Sequence, residues 1–172
     1  MTKQGTWLEQ WERVKRYFMR FERINGGMPV TKNSAHEINF KDEVYAFFVF
    51  CHHLKDWIMS DKTVKINQKT VADFVKGNDC LTLCASICSG IKHLKRKSRK
   101  LPNVRIGEFG KVSYRIEEGK LKSIAVKFSI SRNSEKVDAF ELATECMDKW
   151  KKFIAQNIEK ERTVKRLDRM KH

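Results

Sequence analysis

The apolar residues of this chain change their spacing twice, and those changes constrain the fold more than any composition figure. Up to residue 100 they recur every three to four positions. Between 104 and 130 they alternate, and from Val137 the longer period returns. A 3.6-residue spacing lines one face of a helix, and alternation lines one face of a strand. The pattern predicts a mainly α member of the α+β class. It is a bundle of four to five helices with a small antiparallel β-meander inserted before the long last helix.

Trp7, Trp11, Val14, Phe18 and Phe21 form the stripe of a first helix over 7–24, which Asn25-Gly26-Gly27 and Pro29 end. Residues 28–41 read as a loop. A second helix over 42–60 buries Val44, Phe47, Phe48, Cys51, Leu54 and Ile58. A short helix over 70–76 stops at Gly77-Asn78. Another follows over 79–95, with Asp79 as its cap. The alternating segments hold Val104 and Ile106, then Val112, Tyr114 and Ile116, then Ile124, Val126, Phe128 and Ile130. Glu118-Gly119 supplies a turn between them. The last helix carries Phe140, Ala143, Met147, Trp150, Ile154 and Ile158, and weaker periodicity extends it to 168. The expected organisation is a single domain over 1–172, helical over 7–100, with the meander at 104–130 and the C-terminal helix at 137–168.

Composition narrows the function classes. The chain has 172 residues, 41% hydrophobic and 33% charged, which is enough to bury a core and too apolar for a disordered basic tail. No stretch has the length and apolarity of a membrane span, and residues 1–7 hold no apolar run, so no signal segment is expected there. The net charge is +15, and it is not evenly spread. Residues 92–122 carry +8, residues 149–172 carry +6 and residues 1–24 carry +3, whereas 25–91 are neutral. Cations gathered against their mutual repulsion suit a polyanion, because each neutralised phosphate releases counterions. Nucleic acid is the expected partner. An acidic protein partner would use the same surface, and no membrane association is expected.

Five cysteines are present, at 51, 80, 84, 88 and 146. An odd number within helix-like patterns suggests reduced thiols in a cytoplasm. Cys80, Cys84 and Cys88 share one helix face by their spacing of four. Structural zinc normally uses Cys-x-x-Cys knuckles with a second pair elsewhere. This chain lacks them, so the cysteines are expected to be small core residues, with no metal and no cofactor.

The candidate chemistry lies on the second helix and at the end of the fourth. His53 and Asp56 are three apart, a spacing that lets a carboxylate hold an imidazole on one helix face. His93 is flanked by Lys92, Lys95 and Arg96. If the two helices pack, His53 and His93 would do acid–base work and Asp56 would orient an imidazole. Lys92, Lys95, Arg96, Lys97, Arg99 and Lys100 would hold phosphates, together with Arg13, Arg16 and Arg20 on the first helix. The bland reading is a solvated helix face, with Lys92 and His93 placed by the helix dipole alone. Trp57 reads as a packing residue.

The segments His53-Leu54-Lys55-Asp56-Trp57 and Cys88-Ser89-Gly90-Ile91-Lys92-His93-Leu94-Lys95, set in a small helical bundle, resemble those of bacterial HEPN-like proteins (higher eukaryotes and prokaryotes nucleotide-binding). The resemblance spans residues 7–100 and the last helix. It implies a helical bundle, a homodimer, RNA as substrate, and a defence or toxin–antitoxin setting. Active HEPN ribonucleases carry an Arg followed, after four to six residues, by a His. No Arg stands in that window before His52, His53 or His93, and the formal match of Arg166 with His172 falls at the extreme C-terminus. The expectation is therefore a basic nucleic-acid-binding protein, RNA ahead of DNA, with atypical metal-independent RNA cleavage as a further activity. The alternative is a non-catalytic protein-interaction or architectural DNA-binding module.

Overall fold

The computed structural model describes residues 5–29, 40–92, 104–106, 111–132 and 135–159. Among them the chain forms five α-helices: α1 (Trp7–Gly26), α2 (Phe40–Ser60), α3 (Gln68–Lys76), α4 (Asp79–Lys92) and α5 (Ala139–Ile154). The strands are β1 (Met28–Pro29), β2 (Val104–Ile106), β3 (Val112–Glu117), β4 (Lys120–Val126), β5 (Ser129–Arg132) and β6 (Glu135–Asp138). The class is the expected one, mainly helical with antiparallel strands before the last helix. No helix among the described residues is long and apolar enough to cross a membrane.

The helices form where stripe and cap agree. Thr6 caps α1 by accepting the Glu9 N–H. Trp7, Trp11, Val14, Phe21 and Ile24 are buried along its inner face. Gly27 ends the helix at φ 119°, a backbone state that favours glycine, and its N–H donates to the Arg23 carbonyl at 2.8 Å. Asn67 caps α3 by accepting the Lys69 N–H at 2.8 Å. Asp79 lies in the first turn of α4, where its charge suits the dipole, and Asn78 precedes it. Asp138 caps α5 through the N–H groups of Phe140 and Glu141, at 2.8 and 3.0 Å. A π-helical turn over Ala155–Glu159 continues α5. The expected extension to 168 lies outside the described residues.

The strands depart from a single meander. They make two three-stranded antiparallel sheets, ordered β1-β4-β3 and β2-β5-β6. β1 falls where the sequence reads as loop. Met28 pairs with Ile124 and Pro29 with Ser123, a contact set by a segment far along the chain. β6 takes Val137 and Asp138 from the expected helix and pairs Asp138 with Ser129. β3 and β4 close through Glu118-Gly119, both at positive φ (51° and 70°), the two-residue hairpin turn whose twist suits the strands.

One apolar cluster joins the helices and the inner strand ends. Phe21 meets Phe47, Phe48 and Phe140 ring to ring at 5.4–6.3 Å, tying α1, α2 and α5 together. Phe74 of α3 packs on Trp150 and Phe153 of α5, at 5.1 and 4.2 Å. α4 docks on α2 through its cysteine face, where the Cys84 and Cys88 thiols both donate to the Phe48 carbonyl.

Candidate functional site

Three places carry chemistry: a histidine–carboxylate pair on α2, a basic hairpin, and a buried group of thiols.

The pair forms as its spacing predicts. His53 Nδ1 stands 3.1 Å from Asp56 Oδ2, with side chains 33% and 48% exposed. The His52 ring meets the His53 ring nearly edge-on at 5.4 Å. Asp56 also lines a pocket of about 400 Å³ with Gly5, Thr6, Trp57, Asp61 and Lys62. Two carboxylates and one ammonium do not favour phosphate there. Asp61 holds the local backbone in place. It accepts the Trp7 N–H at 3.0 Å and both the N–H and hydroxyl of Thr63 at 2.8 and 2.7 Å. Trp57 is a packing residue. A Cβ on Gly5 would stand 2.6 Å from its ring, and the Arg13 guanidinium lies 5.0 Å from the ring centre.

The α1 arginines differ among themselves. Arg13 donates to Gln10 Oε1 at 3.0 Å, and Gln10 in turn donates to the Phe50 carbonyl at 2.9 Å. Arg20 meets Glu43 at 3.3 Å and lies over Tyr17 at 4.8 Å. Arg16 is exposed. Arg13 and Arg20 therefore brace α1 against α2, and only in part can they serve an anion. α4 and α2 do pack, but Lys92 ends the described part of α4. His93, Lys95, Arg96, Lys97, Arg99 and Lys100 lie outside the described residues, and with them the expected joint acid–base work of His53 and His93.

The hairpin β3–β4 carries the rest of the basic segment into view. Every residue from Ser113 to Lys122 is exposed. Tyr114 is 63% and Ile116 64% exposed, although both lie on the face whose cross-strand partners are Ile124 and Leu121. Lys111, Lys120, Lys122 and Lys127 are exposed around them. Arg115 is drawn to Glu117 at 2.6 Å. Alternation in the sequence marked Tyr114 as a strand residue. It could not mark it as exposed, because that depends on the hairpin reaching beyond the helices that cover its base.

The thiols converge from three helices. The sulfurs of Cys51 on α2, Cys84 on α4 and Cys146 on α5 all lie within 4.8 Å of one another, and all three residues are buried. Cys146 donates to the Cys80 carbonyl at 3.4 Å, and the Cys80 thiol in turn lies within hydrogen-bond reach of Cys146. Hydrogen bonds from Cys146 and Cys84 outweigh burial and pull the Cys51 thiol down to about 5. Cys146 is pushed well above the usual thiol range by its bonds to Cys51 and Cys80. The expectation of core cysteines holds as burial. Their meeting does not follow from the 80-84-88 spacing, because two of the three partners come from distant helices.

No protein-family model, no curated protein and no solved structure matches this chain.

Proposed function

We propose that this chain is a basic nucleic-acid-binding protein, RNA ahead of DNA, of a HEPN-like kind. The observation that carries the proposal is the exposed hairpin, where an uncovered aromatic ring is set among lysines. Lysines follow a phosphate backbone, and an exposed ring offers a stacking platform to an unpaired base. A purely solvated surface has no need of Tyr114 and Ile116 in water. The hairpin belongs to the same basic segment, 92–122, that holds more than half of the chain's net charge. Five buried cysteines without a disulfide among them fit a bacterial cytoplasm. The HEPN-like reading adds a homodimer and a defence role.

A cleaving activity rests on one further observation, the His53–Asp56 pair at 3.1 Å. A carboxylate on Nδ1 fixes the tautomer and leaves Nε2 to move a proton. Incubation of the protein with labelled single-stranded RNA and matched DNA, in EDTA, separates the readings. Tighter binding of RNA supports the assignment. Cleavage that survives EDTA and disappears in His53→Ala adds the enzyme. Binding of neither polymer removes the proposal in favour of a protein-interaction module.

A further inference from the structure

We propose that Cys51, Cys84 and Cys146 form a structural zinc site, with Cys80 as the fourth ligand, that pins α2, α4 and α5 together. Zinc–sulfur bonds of about 2.3 Å in a tetrahedron set ligand sulfurs roughly 3.8 Å apart. Three sulfurs already within 4.8 Å of one another need a contraction of about 1 Å at most, which side-chain rotation supplies. Cys80 lies in the first turn of α4 with its carbonyl 3.4 Å from the Cys146 sulfur, and its thiol would turn toward the three sulfurs to complete the set. The three sulfurs are buried, and with Cys80 in the fourth position the set would be closed, as structural zinc sites are.

A second observation points the same way. Trp150 is 1% exposed, and its indole N–H makes no hydrogen bond of good geometry. It lies beside the Cys51 sulfur. A buried donor with no oxygen to serve is costly in an ordinary core. Beside a metal-bound thiolate it has a use, since N–H donors around the ligands spread their charge. Zinc also offsets more buried thiolate charge than a singly charged ion such as copper(I). On binding, each ligand that is still protonated gives its proton to solvent as its sulfur–zinc bond forms, and nothing is oxidised. Because the ligands come from three helices, the ion enters as these helices close.

The test refolds the full chain under reducing conditions with EDTA, zinc(II), cobalt(II) or copper(I). The expected result is one bound zinc and, with cobalt, the visible bands of a tetrahedral thiolate site. Zinc at about 100 times its dissociation constant should raise Tm by roughly 5–10 °C. Cys51→Ser, Cys84→Ser and Cys146→Ser should each abolish the cobalt bands, and Cys88→Ser should keep them. The wild-type titration decides even where a variant fails to fold. Folded, reduced wild-type protein that takes up neither zinc nor cobalt, or takes up copper(I) alone, overturns the site.

Discussion

Asp138 shows how much one residue settles. It ends β6, caps α5, and satisfies two N–H groups that the helix itself leaves open. Asp138→Ala should cost about 1 kcal/mol, or roughly 2–4 °C in Tm for a chain of this size, measured by thermal unfolding. An unchanged Tm would mean that water replaces the cap without loss. Single residues also explain which expectations the sequence could support. His53 and Asp56 meet because a spacing of three on a helix is enough. Arg13 and Arg20 fit the anion-binding pattern on spacing alone, yet each is also engaged by a neighbour, Trp57 and Glu43, that only folding brings near. The thiol group was illegible for the same reason. Cys51 and Cys146 are 95 positions apart, and the spacing of Cys84 relates it only to residues of its own helix.

At the scale of elements, long stripes were the most legible. The buried residues of α2 are the six that its period selects, because a long helix on a core has one inner face. Short strands were the least legible. β1 has two residues and exists only because β4 accepts it, so no local pattern can announce it. β6 reads locally as the start of a helix, since Val137 continues the stripe of α5. Pairing with β5 wins over that preference until Asp138 supplies the cap. The hairpin β3–β4 was legible as strands with a Glu118-Gly119 turn, but not as a protruding surface. Its role is testable there. Tyr114→Ala should weaken binding of single-stranded RNA by about 1–3 kcal/mol, read by fluorescence anisotropy, and leave Tm almost unchanged. Equal affinity for the variant would assign Tyr114 no stacking role.

At the scale of the molecule, the charge is unevenly spread along the chain. Residues 25–91 are neutral and include most of the α2–α4 core, whereas the strongest positive segments begin at 92 and at 149. A protein whose cations served only solubility would gain nothing by this separation. The division leaves α2, α3 and α4 up to residue 91 in a segment with no net charge. The same division limits what α2 can do: its histidine–carboxylate pair sits within the neutral segment. Any phosphate reaching it must be held by cations from another segment.

The salt dependence of RNA binding is the sharpest check on a phosphate-reading hairpin. Anisotropy with labelled single-stranded RNA should show the logarithm of affinity falling linearly with the logarithm of salt concentration. The hairpin lysines at 111, 120, 122 and 127 alone would contribute a slope of roughly −2.8, at about 0.7 per phosphate contact. Replacing those four with alanine should remove that part of the slope while the fold persists by circular dichroism. A flat salt response in the wild type, or a slope untouched by the four replacements, would contradict phosphate contacts at the hairpin.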